Sequence, residues 1–309
     1  MHNATIIRNE QIIAGFVITM VGLVGSVCNL VAVIFIYRSP SLRNSYGLIC
    51  VSHLLADVGI LLVHAIWAGP AEFFNYSILL SESSIGRRVG QLTLLFWYAA
   101  VYGQLQIAVN RLLAIVSPVL YSRAFSIRRT AQIIAASWIL SLIHVIVFFW
   151  DECGFMFDVE RLVWFYTDSK CGEFLSFYFD FIHGNIICAG VILMDVISFF
   201  AIFKRTKKLS LLGRNCSVKQ KNIHRRNIQL FLQGCLTACS FTIMLCCSHF
   251  ICLAMKTKWA VFATTTLIWE VSHAVDGVII LVLNDSFQAA LTEKVTKVES
   301  NTVVTLTRT

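Results

Sequence analysis

Residues 89–121 read VGQLTLLFWYAAVYGQLQIAVNRLLAIVSPVLY. The stretch Val89–Val116 is an apolar run long enough to cross the hydrocarbon core of a bilayer as one α-helix. Two polar residues, Asn110 and Arg111, lie near the end of the run, and Ser117-Pro118 closes it. This stretch therefore predicts a membrane-spanning helix that carries a cation near one face of the membrane.

Six further stretches have the same character. The whole chain of 309 residues is 57% hydrophobic and only 14% charged, whereas about a quarter of an ordinary soluble domain is charged. Lipid offers no hydrogen-bond partners to the backbone, so apolar runs of this length cross the membrane as helices, in which the backbone groups pair with one another. We predict an all-α membrane protein, a seven-transmembrane helix bundle over residues 12–288 with tails at 1–11 and 289–309. The predicted spans are Ile12–Tyr37, Tyr46–Ala68, Val89–Val116, Ala131–Trp150, Phe174–Phe203, Ile228–Met255 and Trp259–Leu283.

The basic residues indicate how the bundle sits in the membrane. They concentrate in the connections on one side, above all between Lys204 and Arg226, whereas the fourth-to-fifth connection on the other side is acidic. The positive-inside rule then places the N-terminus outside and the C-terminus in the cytosol. The net charge of +8 is explained by this asymmetry and by attraction to anionic membrane lipid. Binding to nucleic acid is not predicted.

The predicted outer side carries two further features. Asn3 and Asn75 begin Asn-x-Ser/Thr glycosylation signals, although matches also occur on the inner side at Asn215 and Asn284. Of the 11 cysteines, only Cys153 and Cys171 lie in an outer connection. An oxidising face favours a disulfide between them. Two free thiols are the alternative.

Ionisable groups are costly inside a membrane and often mark function there. One of them, Asp195, is expected near the inner edge, either as a functional group or as a solvated helix end. Six histidines in the spans raise the alternative of an intramembrane zinc hydrolase, but no His-Glu-x-x-His occurs and we predict no metal and no cofactor. A transporter or channel is a further alternative. The helices of transporters are often interrupted by glycine or proline, and the absence of proline from the predicted span cores argues against this alternative. The span residues concerned are Asn29, Asp57, Asn110, Arg111, Asp180, Asp195, Glu270 and Asp276, with His53, His64, His144, His183, His249 and His273.

The segment Asn110–Tyr121 resembles the Asp-Arg-Tyr region of rhodopsin-like G-protein-coupled receptors, including the Pro-x-x-Tyr that follows it. The resemblance implies contacts with a heterotrimeric G protein at Asn110, Arg111, Pro118, Tyr121 and Arg123. Other family landmarks occur in the right order, and they imply a polar core at Asn29, Asp57, Asp276 and Asn284. These landmarks are Gly25–Asn29, Leu55-Ala56-Asp57, Trp138, Asp276–Ile280 and Asn284–Phe287.

The runs Tyr37–Gly47 and Cys171–Phe174 are similar to those of the nematode serpentine receptors of class X. That resemblance implies a chemosensory receptor, not an enzyme, which detects an unknown extracellular small molecule or peptide. It also implies a place in the plasma membrane, with the ciliary membrane of sensory neurons as a candidate.

Departures from the wider family lead to two expectations. Gly86 occupies the place of the usual third-helix cysteine, so a Cys153–Cys171 bridge would replace the usual one. Asn110 replaces the acid next to Arg111, and we hypothesise that the inactive state is less firmly locked as a result.

Helical spacing from Arg111 and Asp276 predicts which residues face a ligand pocket in the outer half of the bundle; packing in the core is the alternative for the aromatic ones. Burial of the Glu270 carboxylate without a partner would cost free energy. We therefore expect either His273 or a cationic ligand beside it. The predicted pocket residues are Thr93, Trp97, Trp269, Glu270 and His273.

Overall fold

The computed structural model describes residues 2–74, 83–212 and 218–283. Within these residues, seven helices are long and apolar enough to cross a membrane, which confirms the predicted bundle. Five of the helices extend four or five residues beyond at least one end of the predicted apolar run, and the bounds of the last two differ from the prediction by one residue at each end. We call them spans 1–7: Arg8–Arg38, Ser45–Phe73, Ser84–Val116, Ile127–Phe149, Lys170–Lys208, Asn227–Ala254 and Lys258–Val282.

Short polar side chains determine where five of the spans begin. Each accepts a hydrogen bond from the backbone N–H three residues further on, which satisfies one of the free donors at a helix N-terminus. Span 1 belongs to a longer helix, His2–Arg38, and span 6 to a helix that begins at Val218. The five caps are Asn44, Ser83, Ser126, Ser169 and Thr257.

The connections contain little other regular structure. A one-turn 3₁₀ helix lies at Pro40–Leu42 between spans 1 and 2, and a short helix, Pro118–Ala124, follows span 3. Two more 3₁₀ turns, Val147–Phe149 and Cys252–Ala254, form the last turns of spans 4 and 6. The fourth-to-fifth connection forms a hairpin of β1, Phe155–Asp158, and β2, Val163–Tyr166, with Phe155 opposite Tyr166. A disulfide joins Cys153 to Cys171 on either side of this hairpin, as predicted.

Four spans contain a π-helical segment, in which the helix is locally wider than an α-helix. No proline lies near three of these segments, so proline does not produce them, but Pro70 follows His64–Ala68 by two residues and has no N–H for the carbonyl of Ile66. All four lie towards the end of the bundle that holds the hairpin, which we call the hairpin end; the opposite end, which holds Arg111, is the arginine end. The segments are His64–Ala68, Leu175–Ile182, Cys247–Ile251 and Ala263–Leu267.

Span 3 is the central helix of the bundle. It packs against spans 2, 4, 5 and 6, while span 1 packs against spans 2 and 7. Gly277 of span 7 lies directly against Asn29 of span 1, where a Cβ atom would come within 2.6 Å of the amide oxygen. This close approach of the two helices brings the polar side chains of spans 1, 2 and 7 into one buried layer.

Candidate functional site

Arg111 lies in span 3 at the arginine end and is only 2% exposed. Its guanidinium donates a hydrogen bond to Asp195 of span 5, with which it also forms an ion pair. Asp195 is 8% exposed, so the interpretation of Asp195 as a solvated helix end is wrong. Arg111 therefore has a carboxylate partner on another helix, although its neighbour in the sequence, Asn110, is not acidic.

A glycine of span 6 completes the environment of Arg111. A Cβ atom on Gly234 would overlap the guanidinium group, so only glycine leaves room for the arginine in this position. Two of the three guanidinium nitrogens, Nε and Nη1, are buried without a hydrogen-bond partner among the described residues. Arg111 thus connects spans 3, 5 and 6 through a cation that is only partly satisfied.

The other residues predicted to meet a G protein lie in the last turns of span 3 or in the short helix that follows it. Asn110 is buried, whereas Pro118 and Arg123 are exposed on the short helix that follows span 3. Tyr121 stacks on Phe125, with ring centroids 5.5 Å apart. Pro118 and Arg123 are thus accessible at the arginine end, whereas Asn110 and Arg111 are not.

The buried polar layer in the middle of the bundle contains three of the predicted core residues. The Asn29 amide of span 1 donates to the backbone carbonyl of His273 at 3.0 Å. Nδ1 of His273 lies 2.7 Å from Oδ1 of Asp57, and Nε2 of His53 lies 3.0 Å from Oδ2 of Asp276. Each of these two histidines therefore bridges spans 2 and 7 by bonding to the aspartate of the other span.

The histidine bridges change the expected composition of this layer. His53 lies one helical turn before Asp57, a spacing visible in the sequence, but we did not assign it to the polar core. One atom each from His53, Asp57 and Asp276 lie within 4.8 Å of one another, close enough to share one cation. Asp276 already bonds to His53 and Asp57 to His273, but one oxygen of each aspartate, Oδ2 of Asp57 and Oδ1 of Asp276, is buried without a hydrogen-bond partner among the described residues.

A cavity of about 730 Å³ occupies the hairpin end of the bundle. Its floor contains Trp97 of span 3 and Trp269 of span 7, and the hairpin contributes Phe155 and Trp164. Residues from three of the four π-helical segments also line it: Ser176 and Asp180, Ser248 and His249, and Thr265 and Thr266. π-helical turns are common at functional sites, which fits a binding cavity here.

Two hydrogen bonds hold the hairpin over this cavity. Trp164 Nε1 donates to Nε2 of His64 in span 2 at 3.1 Å. The hydroxyl of Thr266 in span 7 donates to the carbonyl of Leu162 at 2.7 Å. Span 3 meets the hairpin at Gly90, where a Cβ atom would overlap the carbonyl of Phe155. Neither Trp164 nor the hairpin was predicted as part of the pocket, because a non-local contact of a loop leaves no periodic signal in the sequence.

The structure places the five predicted pocket residues in different environments. Trp97 and Trp269 line the cavity, with ring centroids 5.7 Å apart. Thr93 is fully buried, and its hydroxyl donates to the carbonyl of Val89 within its own helix. His273 lies below Trp97, with ring centroids 5.8 Å apart, and belongs to the polar layer.

Glu270 does not lie on the wall of the cavity. It is fully buried, and its carboxylate faces Gly22 of span 1. The suggested pair with His273 is wrong, because the imidazole bonds to Asp57 instead. No described side chain forms an ion pair with Glu270.

Three predicted residues cannot be placed in this geometry. Asn75 and Asn284 lie outside the described residues, and Asn3 lies near the start of the first helix in a part whose side chains are not described. Their predicted roles in glycosylation and in the polar core therefore stay predictions.

Comparison with known proteins agrees with this arrangement. The profile of a family described as "Serpentine type 7TM GPCR chemoreceptor Srx" matches residues 19–284. The chain belongs to the Srx family. Two Caenorhabditis elegans relatives are Serpentine receptor class X 45, 25% identical over 90% of this chain and 80% of the relative, and Serpentine receptor class X-43, 22% identical over 91% and 86%.

Solved structures support the fold of this Srx receptor. The crystal structure of squid rhodopsin superimposes with a TM-score of 0.77 over 93% of this chain and 80% of that one, at 14% sequence identity. The Srx chain is thus a multi-pass membrane protein and a chemosensory receptor of the G-protein-coupled class, which is not an enzyme family. The transporter, channel and zinc hydrolase alternatives are not favoured.

Proposed function

We propose that this Srx receptor binds an extracellular small molecule in the cavity at the hairpin end and activates a heterotrimeric G protein at the arginine end. The observation that carries the proposal is the ion pair between Arg111 and Asp195, which Gly234 of span 6 packs against. A ligand moves such a receptor by binding one arrangement of the bundle more tightly than the other. Separation of spans 3, 5 and 6 would break the pair and expose Arg111.

The size of the cavity supports a small molecule rather than a long peptide. Its volume of about 730 Å³ lies within the range of roughly 300–1,000 Å³ typical of small-molecule pockets. The hairpin, held by the Cys153–Cys171 disulfide, covers part of the same space.

A chain of contacts leads from the cavity towards the middle of the bundle. Trp97 and Trp269 form the floor, and the His273 ring lies within 5.8 Å and 6.4 Å of their ring centroids. His273 in turn bonds to Asp57, whose other oxygen lies 3.6 Å from His53. We propose that ligand binding shifts these side chains and so changes the packing of spans 2, 3 and 7 near Arg111.

The orientation in the membrane follows the basic residues. We propose that the hairpin end is extracellular and that exposed cations such as Arg123, Lys204 and Lys207 contact the G protein and anionic lipid. The receptor domain would cover residues 12–288, with an outer tail at 1–11, a cytosolic tail at 289–309 and glycans at Asn3 and Asn75. The receptor would act in the plasma membrane, with the cilia of sensory neurons as a candidate site.

Reporter cells that carry a promiscuous G protein test this proposal. Wild type, Arg111→Ala and Arg128→Ala are compared at equal surface level, without ligand and with a panel of odorants. Arg128 is an exposed arginine at the same end of the bundle and is the matched control. We expect Arg111→Ala to abolish the signal and Arg128→Ala to keep it. An equal signal from Arg111→Ala and wild type would overturn the assigned mechanism.

A further inference from the structure

The charge of the cavity wall is opposite to that of the whole protein. The chain carries a net charge of +8, but the residues that line the cavity include four carboxylates and a single guanidinium group. Arg161 is that cation; its side chain is 81% exposed, and it lies 3.6 Å from Asp158, which compensates its charge. The four acids are Asp158, Asp168, Glu173 and Asp180.

Asp180 is the carboxylate that lacks a protein partner. It belongs to the π-helical segment of span 5, faces the cavity and is half-buried. Among the described residues, none forms an ion pair or a hydrogen bond with its side chain. A carboxylate inside a membrane protein is expensive unless a cation or several donors compensate it. A group that enters the cavity from outside can supply that compensation.

Tyr166 of the hairpin lies near Asp180 on the same wall. Its hydroxyl is buried without a hydrogen-bond partner among the described residues. Burial raises the pKa of Tyr166 well above its usual value, and the negative charge of Asp180 raises it further. The phenol thus stays neutral and can donate or accept a hydrogen bond on the wall.

Aromatic rings form another part of the cavity wall. Trp269 stands nearly perpendicular to both Trp97 and Trp164, at interplanar angles of 88° and 84° and centroid distances of 5.7 Å and 6.3 Å. Phe155 stacks on Trp164 at 5.5 Å. In these contacts the rings pack on one another, and the ring surface that remains open lines the cavity, where an ammonium group can bind it by cation–π attraction, with tryptophan the strongest contributor.

We infer that the cavity binds a small organic cation, a protonated amine or a quaternary ammonium ion, with Asp180 as its counter-charge and Trp97, Trp164 and Trp269 as an aromatic wall beside it. An anionic ligand would meet three carboxylates that Arg161 does not compensate, and His249, the other basic residue on the wall, packs edge-on against Phe181 at 5.2 Å. The inference rests on the proposed function in one respect, since it takes the cavity at the hairpin end as the place where the ligand binds.

Thermal stabilisation of the purified full-length receptor tests the inference. The probes are tetramethylammonium, choline and 2-phenylethylamine, and the last two have neutral counterparts of similar shape, 3,3-dimethylbutan-1-ol and 2-phenylethanol. We expect at least one cation to stabilise the protein in a saturable manner, and its neutral counterpart to bind at least about tenfold more weakly, the ratio that about 1.4 kcal/mol produces.

Three variants complete the test. Asp180→Asn should weaken binding of the cation about tenfold or more, Asp180→Glu should restore most of it, and Asp151→Asn, the same change at a side chain that is 88% exposed, should have no effect. The unliganded melting temperature of each variant reports whether it folds. The inference is overturned if no cation stabilises the wild type, if neutral counterparts bind equally well, or if folded Asp180→Asn binds like wild type.

The binding measurement needs no G protein. A receptor that binds cations through Asp180 but gives no Arg111-dependent signal would therefore contradict the proposed function and leave the ligand class standing. The reverse result, an Arg111-dependent signal without binding of cations, would contradict this inference alone.

Discussion

Arg111 of span 3 pairs with Asp195 of span 5 in a region from which water is almost excluded. The pair joins two helices that have to separate if a partner is to reach Arg111 from the arginine end. A hydrogen bond between charged groups contributes about 1.5–3 kcal/mol, enough to shift a two-state equilibrium about tenfold or more. In the proposed function the pair would lock the quiet arrangement, with Asp195 in the role of the acid missing at Asn110.

Gly234→Ala should weaken this lock from the side of span 6. The added methyl group would overlap the Arg111 guanidinium, so either the arginine or the helix has to move. We expect higher ligand-free signalling in reporter cells at equal surface level. Gly190→Ala in span 5 is the control, because a Cβ atom there meets nothing within 4 Å. Equal basal signals from the two variants would count against a role for the Gly234 contact.

The bond between His273 and Asp57 should appear as an energetic coupling. Removal of one partner leaves the other buried and unsatisfied, which costs about 1–3 kcal/mol. We expect His273→Ala and Asp57→Asn each to lower the unfolding temperature of the purified receptor. The double variant should lose less than the two losses together, because directly bonded residues are not additive. Strict additivity would show that the two side chains act independently.

Loss of the disulfide should loosen the hairpin over the cavity. Cys153 and Cys171 are 18 residues apart, and closing a loop of that size contributes about 3 kcal/mol. We expect the double serine variant, Cys153→Ser with Cys171→Ser, to unfold at a lower temperature than wild type. Cys239→Ser, at an exposed free cysteine, is the control. If the double variant melts like wild type, the bridge does not support the hairpin.

The sequence was sufficient to predict the bundle, because each span is an apolar run whose length the bilayer dictates. It was sufficient for the Cys153–Cys171 bridge as well, since topology left only these two cysteines on the oxidising side. Trp97 and Trp269 were assigned to the pocket from helical spacing, and both line the cavity. Each of these features follows from the length of the apolar runs, from the topology or from the spacing of residues along one helix.

Contacts between distant helices were much harder to predict. Nothing in the sequence links Asp195 to Arg111, 84 residues away, or Trp164 to His64, 100 residues away. His273 was assigned to the ligand pocket because it follows Glu270 by three residues, yet rotation of span 7 directs its ring towards Asp57. Such pairs depend on how each helix is rotated about its axis and on where glycines let two helices approach closely. Neither can be read from a single sequence without the fold.

Basal signalling of four proteins at equal surface level tests the lock most directly: wild type, Asp195→Asn, Arg111→Ala and the variant with both changes. Release of the arginine should raise the signal of Asp195→Asn above wild type. Because that signal requires Arg111, Arg111→Ala and the double variant should both stay at the level of cells without receptor. A double variant that keeps the raised signal, or an Asp195→Asn variant no more active than wild type, would contradict the account.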